Sequence, residues 1–275
     1  MKKESHFPNF KLIKHLSGGC INEVMLVDDQ GEQLVVKKNN KNAYPNMLLK
    51  EKKQLEYLNE KSPINYAQPL FYEEDDQYQY LGLTYETEGR NTSKAQQEFG
   101  KLLAKQHRVT APHFGCEEDN YIGSLPQPNT KKDNWSIFYA ENRLLYQTKL
   151  AVEKGIVPTD FSKRMEAFCK ELPSLFPNEP PALLHGDLWG GNYFILPSEK
   201  PFLYDPACYY GHREMEIGMT LMFGGFTAEF YKGYEEVYPL ENGWKERIPY
   251  TQLYPNLVHL NLFGESYLSA ILKVI

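Results

Sequence analysis

The chain has little cysteine. Cys20, Cys116, Cys169 and Cys208 are the four cysteines among 275 residues, and no two of them have Cys-x-x-Cys spacing. Structural zinc sites are usually built from closely spaced cysteine pairs, and disulfide frameworks are typical of short secreted chains. The sequence therefore predicts neither a zinc site nor a disulfide framework, and we expect four free thiols.

The chain also lacks an excess of positive charge and any long apolar run. Its net charge is −6 and its isoelectric point is about 5.7, so it has no basic field to hold a nucleic-acid backbone. No window approaches the ~18 apolar residues that span a bilayer, and the polar residues 1–8 do not resemble a signal peptide. We expect a cytoplasmic protein with no nucleic-acid or membrane partner.

Apolar and aromatic residues are plentiful, at 41% and 14% of the chain. This composition is sufficient to bury a sizeable core and excludes a disordered chain. Single cores usually stop growing near ~250 residues. A chain of 275 residues is therefore one large domain or two lobes.

Residue patterns predict an α+β fold, in which an antiparallel five-stranded sheet with one main helix precedes a mainly helical region. The predicted strands are 10–14, 23–27, 33–37, 69–72 and 78–85. The predicted helices are 47–58, 93–107, 135–150, 160–176, 214–222, 228–238 and 251–272, with Ser93 and Gln96 as a capping box. Residues 119–133 are expected to form a long loop.

Three polar residues have the spacing of a kinase catalytic loop. Asn192 lies five residues after Asp187, and Asp205 lies thirteen residues after Asn192. Phosphoryl transfer requires a carboxylate that accepts the proton of the acceptor hydroxyl, which is the role expected for Asp187. It also requires hard oxygen ligands for Mg²⁺, which Asn192 and Asp205 supply. A buried turn is the alternative for His-Gly-Asp alone, and the two matching intervals disfavour it.

Other kinase and hydrolase motifs are missing. The chain has no Asp-Phe-Gly and no Ala-Pro-Glu, which frame the activation loop of protein kinases. It also has no Gly-x-Ser-x-Gly nucleophile elbow. A small-molecule or exposed sugar acceptor is therefore favoured over a peptide.

Lys37, at the end of the third predicted strand, is a candidate for the lysine that holds the α- and β-phosphates of ATP. Glu51 lies at the edge of the apolar stripe of the following helix, where it could reach Lys37. The alternative is that Lys37 and Lys38 are solvated edge charges. Alternation places them on opposite faces of the strand, and we prefer Lys37.

Two backbone segments complete the predicted nucleotide site. Gly18, Gly19 and Cys20 lie in a turn whose N–H groups could approach phosphate oxygens, although two glycines between strands often mean only a tight turn. The stretch Tyr85-Glu86-Thr87 is typical of a hinge whose main chain hydrogen-bonds adenine.

The sequence around these residues resembles that of the fructosamine kinase (ketosamine 3-kinase) family. The resemblance is carried by four segments: Pro-Pro-Ala-Leu-Leu-His-Gly-Asp-Leu-Trp at 180–189, Tyr-Asp-Pro-Ala at 204–207, Tyr-Gly-His-Arg-Glu at 210–214 and Leu-Met-Phe-Gly-Gly-Phe at 221–226. Gly-Gly-Cys-Ile-Asn at 18–22 and Val-Lys-x-Asn around Lys37 also match, and the second match favours Lys37 over Lys38. The similarity extends from about Ser17 to the C-terminus.

The resemblance implies a bilobal protein-kinase-like fold, with an N-lobe at 1–88 and a C-lobe at 89–275. It implies ATP and Mg²⁺ as cofactors and transfer of the γ-phosphate to the 3-hydroxyl of a ketosamine, free or on a protein lysine. It further suggests acceptor contacts from Trp135, Trp189, His212 and Glu214. A core tryptophan and charges that complement a helix dipole are the alternatives for Trp135 and Glu214.

Two other functions stay open at this stage. The same scaffold could phosphorylate a different acceptor, such as an aminoglycoside or choline. A pseudokinase could bind nucleotide without turnover, although five intact candidate residues disfavour it. If the phosphate is placed on C3 of a ketosamine, it is expected to leave readily and to release the sugar from its amine.

Overall fold

The computed structural model describes residues 10–16 and 21–275. The first third contains β1 (Lys11–His15), β2 (Glu23–Asp29), β3 (Glu32–Asn40), α1 (Met47–Lys61), β4 (Asn65–Tyr66), β5 (Pro69–Glu74) and β6 (Tyr78–Thr84). Five of these strands form an antiparallel sheet in the order β1-β2-β3-β6-β5. The predicted five-stranded sheet and its helix are confirmed.

Turn chemistry and alternation explain the sheet. The β2–β3 hairpin reverses at Gln30 and Gly31, which have φ angles of 55° and 98°, as a tight two-residue hairpin turn requires. Leu34 and Val36 of β3 pack with Val27 on one face of the sheet. The predicted periodicity of two therefore holds along these strands.

The remaining elements are mainly helices. Up to residue 175 they are α2 (Ser93–His107), β7 (Asn120–Ile122), β8 (Leu125–Gln127), α3 (Trp135–Tyr139), a π-helical turn (Ala140–Leu145), α4 (Tyr146–Glu153), α5 (Asp160–Cys169) and α6 (Leu172–Leu175). Beyond it they are β9 (Ala182–Leu184), β10 (Tyr193–Ile195), β11 (Pro201–Leu203), β12 (Tyr209–Gly211), α7 (Glu214–Thr220), α8 (Ala228–Val237), α9 (Trp244–Thr251), α10 (Leu253–Phe263), a 3-10 turn (Glu265–Tyr267) and α11 (Leu268–Leu272). None of the helices in the described ranges combines the length and apolar character that a membrane span requires.

Two small sheets connect the parts of the fold around the candidate site. β9 pairs with β12, and β10 pairs with β11, which also pairs in parallel with β4. One apolar core cluster includes Leu55 of α1, Leu81 of β6, Phe99 of α2 and Leu203 of β11, so the core is continuous across residue 88. We propose that the lobes divide near residue 88 because the chain leaves the sheet at Thr84 and enters α2 at Ser93.

Some predicted elements differ from the structure. Residues 119–133 contain the β7–β8 hairpin, whose three-residue strands are too short to produce a periodic signal. Helix α2 is capped by Thr92, whose side chain accepts from the N–H of Ala95 at 3.1 Å, so Ser93 is not the cap. The predicted helix 251–272 is interrupted at Gly264, which has a φ of 90°.

Candidate active site

The loop from β9 to β10 carries Asp187 in a defined backbone conformation. Gly186 has a φ of 86°, and a Cβ at this position would lie 2.0 Å from the carbonyl oxygen of Ala207, so only glycine is tolerated without a shift. The buried imidazole of His185 accepts from the N–H of Asp187 at Nδ1 (3.2 Å) and donates from Nε2 to the carbonyl of Tyr204 (2.9 Å). Burial lowers the pKa of His185, which favours this neutral tautomer.

Asp187 and Asn192 lie in direct contact. The Asn192 amide donates to the Asp187 backbone carbonyl (2.8 Å) and to its carboxylate Oδ2 (3.0 Å). Burial raises the pKa of Asp187 to about 7, and the negative charge of Asp205 contributes to the increase. The hydrogen bond from Asn192 acts in the opposite direction and lowers this pKa. A carboxylate with a pKa near the working pH is well suited to exchange a proton with a substrate hydroxyl.

Lys37 joins the sheet to Asp205, the predicted metal ligand. Its ammonium donates to Glu51 Oε1 at 2.5 Å and to Asp205 Oδ1. Burial alone would lower the pKa of Lys37, but the two carboxylates together raise it above its ordinary value. Lys38 points to the opposite face, where it pairs with Glu23 at 3.1 Å and lies over the ring of Tyr78. The structure thus brings Lys37, rather than Lys38, together with Glu51.

Two adjoining cavities meet at Lys37 and Asp205. The first, of about 260 Å³, is mainly apolar, and it contains the predicted hinge residues Tyr85 and Glu86 but not Thr87. Its lining residues are Leu16, Val24, Val35, Lys37, Ala67, Leu83, Thr84, Tyr85, Glu86, Phe194, Phe202, Tyr204 and Asp205.

The second cavity, of about 350 Å³, brings Lys37, Glu51, Asp187, Asn192 and Asp205 together. An apolar pocket that opens into a cavity lined by carboxylates and a lysine has the polarity that a nucleotide requires, with its base in the first space and its phosphates toward the second.

The donor set is compatible with magnesium. The Asn192 amide nitrogen donates both of its hydrogen bonds to Asp187, and within the described part of the chain no side chain or backbone group donates to its Oδ1. Asp205 holds a φ of 56° and is partly exposed toward the same cavity. The described residues contain no cluster of three or more His, Cys, Asp or Glu side chains arranged as a metal cage. One amide and one carboxylate suit Mg²⁺, which usually completes its coordination with phosphate oxygens and water.

Comparison with known proteins identifies the family of this chain. The sequence model described as fructosamine kinase matches residues 2–275. The chain belongs to the fructosamine kinase family. A probable ketoamine kinase of Vibrio vulnificus is 36% identical over 95% of this chain and 90% of its own length. The chloroplastic protein-ribulosamine 3-kinase of Arabidopsis thaliana is 41% identical over 66% of this chain and 56% of its own length.

The fold of this family member is shared by a solved structure. The crystal structure of a candidate fructosamine-3-kinase from Haemophilus somnus superposes with a TM-score of 0.87 and 30% identity, covering 96% of this chain and 90% of its own. The predicted protein-kinase-like fold is thereby confirmed.

In this fructosamine kinase family member, one wall of the cavity that contains Asp187 is aromatic. Trp189, the only one of the four predicted acceptor contacts that lines the cavity of Asp187, is 37% exposed, and its ring lies 6.0 Å from that of Phe223. His259 and Phe263 extend the surface, with centroid distances of 5.1 Å from Phe223 to His259 and 5.4 Å from His259 to Phe263. Sequence reasoning did not assign Phe223, His259 or Phe263 to the site, because only the tertiary structure brings Phe263 into the cavity of Asp187 and connects the other two rings to Trp189 and Phe263.

The other three predicted acceptor contacts are buried away from the cavity. Trp135 stacks on Tyr139 at 5.1 Å, within the helical core. His212 is fully buried, with its Nε2 3.3 Å from the carbonyl of Pro177. Glu214 pairs through both oxygens with Arg247, at 2.6 and 2.7 Å.

Each of these three side chains thus has packing or pairing partners within the fold. We therefore correct the expectation for Trp135, His212 and Glu214, and assign them to the structure of the helical region.

Glu216 anchors the catalytic loop, a function that its position in a first helical turn concealed. Its carboxylate accepts from the N–H groups of His185 (3.2 Å) and Gly186 (2.8 Å) and lies 2.9 Å from His107 Nε2. His107 Nδ1 in turn lies 2.7 Å from the hydroxyl of Tyr234. The favourable bonds lower the pKa of Glu216 despite its complete burial, so a carboxylate holds the loop backbone. Gly18, Gly19 and Cys20 lie outside the described residues.

Proposed function

We propose that this protein transfers the γ-phosphate of ATP to the 3-hydroxyl of a ketosamine. The observation that carries the proposal is the convergence of Lys37, Asp187, Asn192 and Asp205 on one cavity that adjoins an apolar pocket. Membership of the fructosamine kinase family supports the acceptor class, since the relatives bear the names ketoamine kinase and protein-ribulosamine 3-kinase.

The residues of the chain divide the work of the transfer. Asp187 orients the acceptor hydroxyl and accepts its proton, while Asn192 holds the Asp187 carboxylate in place through its amide group. Lys37, fixed by Glu51, is positioned for the phosphates, and Tyr85 and Glu86 border the space for adenine. Gly18, Gly19, Cys20 and Thr87 remain proposed nucleotide contacts.

We also propose that Asn192 and Asp205 hold magnesium. The ion would neutralise charge on the phosphates and so favour transfer when MgATP is bound. Asp205 already faces a cation, since Lys37 donates to it, and Asn192 presents its oxygen while its nitrogen is occupied.

The composition of the acceptor wall favours a sugar adduct over a polycation. Besides Glu51, Asp187 and Asp205, no carboxylate lines this cavity among the described residues, and Trp189 and Phe263 contribute aromatic surface instead. A polycationic aminoglycoside would require several carboxylates to compensate its charge. Aromatic faces are suited to the C–H groups of a sugar or to the chain that carries its amine.

Phosphorylation at C3 would complete a deglycation. A ketosamine bears nitrogen on C1 and a ketone at C2, so its 1,2-enaminol can push electrons toward C3 and expel a group there. Phosphate leaves far more readily than hydroxide, so the adduct would eliminate inorganic phosphate and become a C1 imine of a 3-deoxy-dicarbonyl. Water from the solvent would then hydrolyse the imine to the free amine and the 3-deoxy-dicarbonyl. No hydrolytic residues are needed, which agrees with the missing nucleophile elbow.

The deciding experiment compares acceptors. Turnover of MgATP would be measured with lysine adducts of ribulose, fructose and erythrulose, with an aminoglycoside and choline as competing acceptors and Asp187→Asn as the inactive control. We expect turnover with at least one ketosamine and none with the competitors. After removal of the enzyme, NMR should show release of amine and phosphate. Preferential turnover of an aminoglycoside, or phosphate on another carbon, would overturn the assigned acceptor chemistry.

A further inference from the structure

Helix α1 is attached by hydrogen bonds to the backbone that follows Asp205. The Gln54 Oε1 accepts from the Asn120 amide at 2.8 Å and from the backbone N–H of Cys208 at 2.7 Å. The Asn120 amide also donates to the carbonyl of Cys208 at 2.9 Å. Gln54 and Asn120 therefore hydrogen-bond the backbone N–H and the carbonyl of Cys208, respectively. We call these two side chains and the Cys208 backbone the α1 clamp.

The clamp is one end of a buried chain of amides. Asn120 Oδ1 accepts from the amides of Gln127 (2.7 Å) and Asn129 (2.9 Å), and Asn129 Oδ1 accepts from the guanidinium of Arg143 (2.8 Å). Arg143 is fully buried and, within the described ranges, pairs with no carboxylate. From the guanidinium to Gln54, each amide donates to the oxygen of the next, an arrangement in which successive hydrogen bonds polarise and strengthen one another.

The spacing of residues along α1 relates the α1 clamp to the cavity that contains Asp205. Glu51, Gln54 and Tyr57 follow one another at three-residue intervals, so they lie along one side of α1. Glu51 meets position 205 through Lys37, Gln54 meets position 208, and the hydroxyl of Tyr57 lies 2.8 Å from that of Tyr210. The helix thus runs alongside the segment that begins at Asp205.

The two carboxylates that share Lys37 come from different parts of the chain. Glu51 is carried by α1 and Asp205 by the turn after β11, and Lys37 itself would be drawn toward phosphates when nucleotide binds. Contacts that do not involve Lys37 are then needed to keep the Glu51 and Asp205 carboxylates at a fixed separation. Gln54 also lines the cavity that contains both carboxylates, so the clamp borders the place where it would act.

We propose that Gln54 and Asn120 are positioning residues that hold Glu51 and Asp205 at the separation bridged by Lys37 and thereby set the affinity for MgATP. This inference rests on the proposed kinase function and adds residues that touch neither the nucleotide nor the acceptor in that proposal. It assigns a purpose to the β7–β8 hairpin, which supplies Asn120 and Gln127.

A matched set of variants separates positioning from general stability. Gln54→Met keeps the length of the side chain and removes the oxygen that accepts from Cys208. Gln54→Glu keeps that oxygen and serves as the conservative rescue. Lys53→Met places the same side chain at the neighbouring position, where it removes only an exposed ion pair with Glu118. If Gln54→Met does not fold, Gln54→Ser removes the same contact, because its hydroxyl is too short to reach Cys208.

The first measurement needs no nucleotide. Hydrogen exchange of the peptide containing Cys208 should be faster in Gln54→Met than in wild type, Gln54→Glu or Lys53→Met, because the Cys208 N–H loses its acceptor. The second measurement is calorimetric binding of magnesium with a non-hydrolysable ATP analogue. The dissociation constant should rise about 10-fold in Gln54→Met, as expected for loss of one to two hydrogen bonds, and stay within about 3-fold of wild type in the other two variants.

The outcomes distinguish the inference from the function on which it rests. A folded Gln54→Met protein with wild-type affinity for the analogue would overturn the positioning role, whether or not its exchange is faster. Equal weakening in Gln54→Met and Gln54→Glu would also overturn it, because the accepting oxygen would then be irrelevant. Failure of the wild-type protein to bind the analogue would instead refute the proposed kinase function itself.

Discussion

Replacement of Asp187 by asparagine tests the chemistry most directly. The substitution keeps the shape of the side chain and an oxygen for the bond from Asn192, but it removes the group that can accept a proton. We expect kcat to fall by about 10²-fold or more, the usual contribution of a positioned general base, with little change in the dissociation constant of MgATP. Near-normal turnover in this variant would refute the assignment.

The pH dependence of kcat/KM in the wild-type enzyme is a second, independent test of Asp187 as the general base. With a pKa of about 7, Asp187 in the nucleotide-free enzyme should be about one-tenth ionised at pH 6 and about nine-tenths ionised at pH 8. Because the ionised form is the active one, kcat/KM for MgATP should rise almost 10-fold over this interval. Bound magnesium adds positive charge beside the carboxylate, so the acid limb of kcat should lie at lower pH. A flat profile, or the same limb in the residual activity of Asp187→Asn, would contradict this assignment.

Stability should change in the opposite direction to activity. The pKa of Asp187 is raised in the fold from the ordinary value of 3.8, so folding favours its protonated form. That stabilisation is complete below the unfolded pKa and is lost as pH rises through the folded pKa near 7. The loss is at most ~4 kcal/mol for a shift of about three units, and solvent around the partly exposed carboxylate reduces it.

Asp187→Asn cannot ionise, so its free energy of unfolding should exceed that of wild type at pH 8 and approach it near pH 4. Urea titrations at several pH values measure this difference. A variant that is less stable than wild type at pH 8 would show that the carboxylate is well accommodated in its charged form.

Three further substitutions test Glu216 behind the loop of Asp187, and Asp205 and Trp189 in the cavity. Glu216→Gln disrupts the acceptor of the His185 and Gly186 N–H groups, so kcat should fall about 10-fold or more in a protein that still binds MgATP, and an unchanged kcat would argue against the anchor. Asp205→Ala should weaken binding of the nucleotide in the presence of magnesium by about 10-fold or more, as calorimetry would measure, whereas a deficit equal with and without magnesium would argue against a metal ligand. Trp189→Ala should raise KM for the ketosamine by about 5-fold with a smaller effect on kcat, and steady-state kinetics that show the reverse would remove the tryptophan from the acceptor site.

The residues of the site that could be predicted are those that lie close together in the sequence. Asp187, Asn192 and Asp205 stand close in sequence on a single loop and hairpin, so their meeting requires little tertiary information. The two-residue period of a strand placed Lys37 and Lys38 on opposite faces, and the resemblance at Val-Lys-x-Asn favoured Lys37. The contact of Lys37 with Glu51 agrees with that choice.

What could not be predicted depends on contacts between distant segments. Asn120 and Gln54 are separated by 66 residues, and neither carries a local pattern that distinguishes it from an ordinary surface amide. Glu216 lies where a charge would complement a helix dipole, and only its contacts with His185 and Gly186 reveal its function. Glu214, two positions earlier, has the same local setting and meets Arg247 instead. Side chains of one type in one helical turn thus acquire different roles from their tertiary partners.

The contrast between Asp187 and Asp205 explains how one cavity can support both proton transfer and charge neutralisation. Asp187 is partly buried beside an amide and has no cation among its hydrogen-bond partners in the described residues, so its environment favours a proton. Asp205 meets the ammonium of Lys37 and faces the same cavity, so it is already arranged for a positive partner. Because Asp187 favours a proton and Asp205 already meets an ammonium group, we propose proton transfer for the first carboxylate and metal binding for the second. Both positions carry an aspartate, so the proposed roles of Asp187 and Asp205 would be reversed only if their surroundings were exchanged.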